Sequence, residues 1–202
     1  EPSREMRFDL DSPFEDFLLG DSHKVKGEEV EEPMDFSKKN FMSIPDQHKF
    51  LIQLIFPNQN NSENQLSLSE LDQKFILSKM SMLPRHSTNP KYGAKYYDGY
   101  CKFFMFGDSK ARIPDHIKIF NKVGLAYGFV LDNAYIIDQK HGVEFFLTAV
   151  VYGNSNGVLN DNIYDYDTLT IPFLSALGDA IYKYEKMREK KYAPDLTFFE
   201  QL

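Results

Sequence analysis

The sequence predicts an α+β fold: helices first, then a three-stranded antiparallel meander, then a C-terminal helix packed on the sheet. Three observations carry this. Two segments between residues 43 and 83 place apolar residues at helical spacing. From Ile117 the period changes to two. After Pro172 the helical period returns.

The 202 residues suffice for one domain with a real core. With 18 Phe, 12 Tyr and no Trp, much of that core should be ring packing with hydroxyl tips near the surface. A net charge of -7 argues against general nucleic-acid binding, which uses a basic stripe. Cys101 is alone, so no intrachain disulfide forms, and beside Lys102, Phe103 and Phe104 it reads as a small core-side residue. No apolar run approaches the roughly 18 to 20 residues of a membrane span. The first residues carry no signal-peptide pattern, which leaves the compartment open.

Residues 1–33 form an irregular, polar N-terminal segment. Met6 to Leu10 reads as a short strand, and the acidic run Glu28-Glu29-Val30-Glu31-Glu32 as a solvated loop. Residues 34–202 form the main body. Ser43 precedes Ile44-Pro45-Asp46, which supplies an N-cap, an early proline and a first-turn acid. Phe50, Leu51, Leu54 and Ile55 then keep helical spacing until Pro57. After a polar loop, Asn58 to Gln65, either Ser67 or Ser69 caps a second helix ending near Leu83-Pro84. Its apolar stripe of Leu71, Phe75, Ile76 and Met80 reads as core.

Residues 84–115 read as an irregular connection with one short element around Lys102 to Phe106. So long a loop in a compact domain is often functional. Ile117 to Asn121, Ala126 to Ile137 and Val143 to Tyr152 read as strands. The turn from Asp138 to Gly142 makes the last two a hairpin. A loop from Gly153 to Asp167, rich in Asn, Asp and Gly, lacks the ligand pattern of a calcium loop and reads as turn chemistry. In the final helix, Phe173, Leu174, Leu177, Ala180, Ile181 and Tyr184 form the apolar face. Lys186, Arg188, Lys190 and Lys191 complement its C-terminal dipole.

The stretch Ile119 to Ile137, IFNKVGLAYGFVLDNAYII, delivers a lysine and a glycine on a strand, then a second glycine before the next strand. With two helices before it and one after, it resembles the Lys-Thr-Gly strand of class A β-lactamase-like, penicillin-recognising serine hydrolases. The resemblance covers about Pro33 to Arg188 and corresponds to the family's C-terminal portion, an incomplete β-lactamase/transpeptidase-like fold. It implies that Lys122 sets positive charge beside a nucleophile and a substrate carboxylate. Gly124 would leave the strand bare for an acyl group, and the N–H of Leu125 would serve the oxyanion hole. Without the resemblance, Lys122 reads as a strand-edge lysine and Gly124 as a bulge glycine. Val123 stands where the family has threonine, with no hydroxyl to offer a carboxylate. The tyrosines Tyr92, Tyr96, Tyr97 and Tyr100 read most simply as a packed loop; the alternative is a sugar or peptide groove that rims the same cleft, with Tyr97 and Tyr100 as its binding residues. Together with Val123 and Tyr127 they complete the expected binding residues.

No serine of the chain is followed three residues later by lysine, and no Ser-Asp-Asn occurs, so the family's nucleophile is missing. The chain is therefore expected to be inactive alone, on β-lactams, D-Ala peptides or other esters and amides. It would be completed by an N-terminal portion of the same enzyme. The alternative is a non-catalytic binding module on the same fold. Without the family's first two strands, the third strand of the meander would present an open edge to a second copy. No cofactor, metal or nucleic acid is expected. His23, His48, His86, His116 and His141 include no pair at zinc-helix spacing, and His141 and Glu144 are placed on opposite faces of a strand. A periplasmic or extracellular location follows from the resemblance alone.

Overall fold

The structure is a computed structural model that describes residues 17–40, 42–57 and 66–202. The strand expected at Met6 to Leu10 and the loop Asn58 to Gln65 lie outside these residues. The chain divides into two compact units. Among the described residues, the first comprises 17–40 with 156–163, and the second 42–57, 66–155 and 164–202.

In the first unit, β1 (Leu18–Leu19) pairs with β4 (Met34–Asp35), and β2 (Ser22–Val25) pairs antiparallel with β3 (Glu28–Val30). The acidic run is therefore partly a hairpin and not a loop. Lys26 and Gly27 have φ of 54° and 92°, the positive pair that a two-residue hairpin turn requires. The charge stays in solvent on exposed Glu28, while Ser22 donates to the Glu29 carboxylate at 2.6 Å. The segment Val158–Leu159, last of the chain's strands and numbered β8, runs parallel to β2 and buries Leu159 completely. Gly157, Asn160 and Asn162 around it all have positive φ, as the Asn- and Gly-rich composition predicts.

The second unit is mixed α+β. Its first helix, α1 (Ile44–Ile55), begins where predicted: the Ser43 hydroxyl accepts from the Asp46 N–H at 3.1 Å. Replacing Ser43 with alanine leaves that donor without its cap. It should lower stability by about 1 kcal/mol, measured by urea denaturation. The second helix, α2 (Glu70–Ser81), is capped by Ser69. Its buried side is not the predicted stripe, because Leu71 and Phe75 are 80% and 63% exposed. Gln73 and Leu77 are buried instead, with Ile76 and Met80 packed beside them. A glutamine takes this inner position because its Nε2 donates to the carbonyls of Leu54 and Ile55, two of the C-terminal carbonyls that α1 cannot satisfy itself.

The connection 84–115 is irregular but fastened. Buried Asp98 accepts from the Ile113 N–H at 2.9 Å and pairs with Arg85. A single distorted turn, α3 (Phe103–Phe106), follows, with Met105 at φ 67°. The meander is β5 (Ile117–Ala126), β6 (Phe129–Asp138) and β7 (Val143–Tyr152), in the order β5-β6-β7 and antiparallel throughout. The first strand thus runs beyond its expected end at Asn121, and the second begins at Phe129. A π-helical turn, Tyr166–Thr170, leads into α4 (Ile171–Met187), and a last turn is α5 (Thr197–Glu200).

The sheet separates two cores by simple alternation. On one face Phe120, Tyr135 and Ile137 meet Leu51 and Ile55 of α1, Leu77 of α2 and Phe199 of α5. On the other Ile119, Val130, Ala134 and Ile136 meet Phe104 of α3 and Leu174 of α4. No helix among the described residues is long and apolar enough to cross a membrane.

Candidate functional site

β5 and β6 pair without interruption from Ile117 opposite Asp138 to Ala126 opposite Phe129. Lys122, Val123, Gly124 and Leu125 therefore lie inside a strand, and Gly124 sits in register with Leu131, with no bulge. The reversal comes later, at Tyr127 and Gly128, whose φ values of 54° and 85° again form the positive pair of a two-residue turn. A side chain at 128 would press on the Gly153 carbonyl at 2.9 Å, so this glycine is demanded by its surroundings.

Gly124 is not. A Cβ built there would meet nothing closer than the Leu131 side chain at 3.9 Å, ordinary contact, and its φ is not in the left-handed region. Among the described residues, neither backbone conformation nor packing requires glycine at 124.

Alternation puts Lys122 and Gly124 on the face of Phe120, toward α1 and α2. Val123 and Leu125 fall on the α4 face. Val123 packs into the α4-side core, and Leu125 is 44% exposed. The Lys122 side chain is exposed, its amine turned back to the Val123 carbonyl at 2.5 Å. Across the sheet from it lie Asn133 and then Thr148. Thr148 donates to Asn133 Oδ1 at 2.7 Å, and His48 of α1 meets the Thr148 hydroxyl at 2.7 Å. Asn133 Nδ2 donates to the Gln47 carbonyl at 2.9 Å. A polar row thus crosses the middle of one sheet face, covered by α1 at its far end and exposed at Lys122. Sequence alone does not find it, since Asn133 and Thr148 become neighbours only through strand register.

The irregular connection is tied beside the same strand. Asn121 Nδ2 donates to the Cys101 carbonyl at 2.9 Å, and Lys102 Nζ donates to Asn121 Oδ1 at 2.6 Å and to the Met80 carbonyl. Asp132 is wholly buried. It accepts from Asn121 at 2.8 Å and from the N–H groups of Phe103 and Phe104 at 3.0 and 3.2 Å. Burial pulls the Lys102 amine down to about 8, against the opposing pull of Asp132. It also pushes the Asp132 carboxyl up to about 6, although its hydrogen bonds and Lys102 work the other way. The two are charged together at neutral pH, and loss of water outweighs mutual attraction in both groups. Burial raises the Cys101 thiol too, partly offset by the charges of Lys102 and Lys122. A half-buried, protonated thiol is a poor nucleophile.

Tyr100 directly precedes Cys101, whose carbonyl is held by Asn121, the neighbour of Lys122 on β5. The Tyr100 ring packs with Tyr96 and Tyr92, centroids 4.8 and 6.0 Å away. Tyr97 is 42% exposed, with the Lys110 amine 5.6 Å from its ring. Tyr127 occupies the hairpin tip. What the arrangement offers is an exposed ammonium and a bare strand position on one sheet face. His141 and Glu144 do not share a strand as expected. His141 is in the turn before β7, whereas Glu144 is on β7 and accepts from the Tyr135 hydroxyl.

Comparison with known protein families, curated proteins and solved structures finds no match to this chain.

Proposed function

We propose that this chain is the C-terminal portion of a β-lactamase-like serine hydrolase and forms one wall of an acyl-transfer site. Lys122 supplies positive charge beside a serine held outside these 202 residues. Gly124 lets the acyl group lie against β5, and the Leu125 N–H donates to the oxyanion. The substrate is a β-lactam, a D-Ala peptide or another ester or amide. Acylation of the serine is followed by hydrolysis. The working compartment is periplasmic or extracellular.

Gly124 is the observation that supports this most. A glycine inside a continuous strand weakens it, and here no neighbour among the described residues asks for the missing side chain. Close approach of a ligand to the backbone is the reason that is left. Gly124→Ala should therefore stabilise the chain by about 0.5–1 kcal/mol in urea denaturation. Lys122→Ala should change its stability by less than about 0.5 kcal/mol, because the side chain is exposed. In a longer gene product carrying the serine, Lys122→Ala should slow acylation about 10²–10³-fold. Equal acylation rates in wild type and variant would remove Lys122 from the site.

Intact-mass spectrometry after incubation with a fluorescent penicillin or a fluorophosphonate tests the whole reading. An adduct on the longer product and none on this chain is the expected result. An adduct on the 202-residue chain would overturn the claim that the nucleophile lies outside it.

A second reading, a non-catalytic module that pairs through a sheet edge, draws on one observation. Among the described residues, β7 is bonded along β6 alone. Open edges accept a strand from another chain. No adduct on either product, together with a homodimer by light scattering, would favour it; a monomer at high concentration would count against it.

A further inference from the structure

At the far end of the sheet from the Lys122–Gly124 stretch, two histidines converge on a carboxylate. Asp138 closes β6 and is completely buried, His141 sits in the following turn, and His116 immediately precedes β5. His116 is placed by the ladder itself: Ile117 is opposite Asp138, and the Gln139 N–H donates to the His116 carbonyl at 2.9 Å. His141 Nδ1 lies 2.7 Å from Asp138 Oδ2, and His116 Nε2 lies 3.9 Å from Oδ1. One ligand atom from each residue falls within 4.8 Å of the others. Spacing along the chain does not announce this cluster, because its members meet only through the pairing of β5 with β6.

Hydrogen bonding accounts for His141 but not for His116, which stands too far from the carboxylate for a bond of its own. Around a tetrahedral zinc, with Zn–N and Zn–O near 2.0–2.2 Å, ligand atoms stand roughly 3.3–3.5 Å apart. The two imidazoles are about a third exposed and reach that spacing by side-chain rotation, while Asp138 stays fixed. It is fixed by N–H groups of Lys140 and His141 on Oδ1, at 2.9 and 3.1 Å, and by the Tyr182 hydroxyl on Oδ2 at 2.6 Å. A hydroxyl that holds a ligating carboxylate is the usual outer support of a metal site.

We propose that His116, Asp138 and His141 bind one divalent cation of the zinc class, with water completing the coordination. The cation takes the place of the ring proton between His141 Nδ1 and Asp138, and that proton moves to Nε2, so both imidazoles ligate in the neutral form. Along β6 the site is five residues from Asn133, the cross-strand partner of Lys122, roughly 17 Å at strand rise. It is therefore a clip and takes no part in acyl transfer. It joins the start of β5 and the β6–β7 turn, and reaches α4 through Tyr182. The neighbouring charges are mixed: Lys190 donates to the Gly142 carbonyl at 2.6 Å, and Asp179 adds negative charge near Tyr182.

The test is titration of the chelator-treated 202-residue chain with cobalt(II) and with zinc(II), read by the visible spectrum and by Tm. One equivalent of cobalt with intense four-coordinate bands, and a rise of Tm with zinc, is the expected result. His116→Ala and His141→Ala should each abolish the four-coordinate spectrum. Tyr182→Phe should weaken binding about 10–100-fold, and His86→Ala should leave it unchanged. Since both histidines are partly exposed, their variants remain folded by circular dichroism. The proposal is overturned if wild type binds no more tightly than the His116→Ala, His141→Ala double variant, or if cobalt binds only as a six-coordinate surface ion.

Discussion

Asp132→Ala should destabilise the second unit by about 3–5 kcal/mol, the range for leaving a buried charge without its counter-charge, here linked to it through Asn121. The variant strands the Lys102 amine, 3% exposed, beside an Asn121 that has lost its own acceptor. It also leaves the N–H groups of Phe103 and Phe104 without the oxygen they share. Asp132→Asn would be no remedy. The new side-chain oxygen can keep the Phe103 and Phe104 contacts, but its amide then faces the Asn121 amide, whose oxygen is committed to Lys102. Urea denaturation measures the loss, and a change below about 1 kcal/mol would mean that Lys102 finds another partner or water.

The same pair sets a pH dependence. Asp132 titrates near 6 in the fold against an ordinary 3.8, so the native state binds the extra proton between those values. Its stabilising contribution is complete below about pH 4 and is lost as pH rises through about 6. Lys102 titrates near 8 against 10.5, so the native state sheds its proton first, and stability grows as pH climbs from 8 toward 10.5. The pair thus contributes a stability minimum between about pH 6 and 8. Comparing wild type with Asp132→Asn isolates the acid limb. The gain in urea midpoint on going from about pH 6.5 to about pH 5 should be present in the first and absent in the second.

Gly178→Val should be nearly as damaging. Gly178 lies mid-way along α4, where its missing side chain lets the helix approach α3. A Cβ would stand 2.6 Å from the Met105 nitrogen and 2.7 and 2.8 Å from Cβ and Cα of Phe104. Most of these are backbone atoms in a segment held by Asp132, so they do not swing aside. Alanine should cost about 1–3 kcal/mol despite its better helix propensity, and valine more. Ala176→Val, on the exposed side of the same helix, should stay within about 1 kcal/mol. A Gly178→Val protein as stable as this control would show that α4 seats on α3 more loosely than these distances imply.

The two predictions meet at one place. Asp132 ties down the α3 backbone, and that backbone is the surface on which Gly178 rests. Cys101 and Met105, both at positive φ, bracket the segment that Asp132 holds. The chain adopts left-handed geometry there at two residues that do not favour it, and buried hydrogen bonds hold it. The same segment is held to Asn121, the neighbour of Lys122 on β5, through the Cys101 carbonyl.

Local chemistry made much of this legible. Ser43 and Ser69 cap helices because a short hydroxyl before an acidic first turn does so in any context. Ile117 to Tyr152 alternates because the strands serve two cores. Where the fold departs from the local pattern, a partner distant in sequence decides. Gly124 looks like the end of a strand until β6 is laid beside it. Leu71 and Phe75 look like core until Gln73 turns inward to the carbonyls of α1.

The order of elements, the caps and the period of the meander can all be read from the residues in a row. They follow from backbone preferences and from spacing along the chain. Three other features belong to the folded molecule: the face that Lys122 shares with Asn133 and Thr148, the interior linkage of Asp132 to Lys102 through Asn121, and the meeting of His116 and His141 at Asp138. Strand register and layer packing bring together residues tens of positions apart, and no local pattern encodes those meetings.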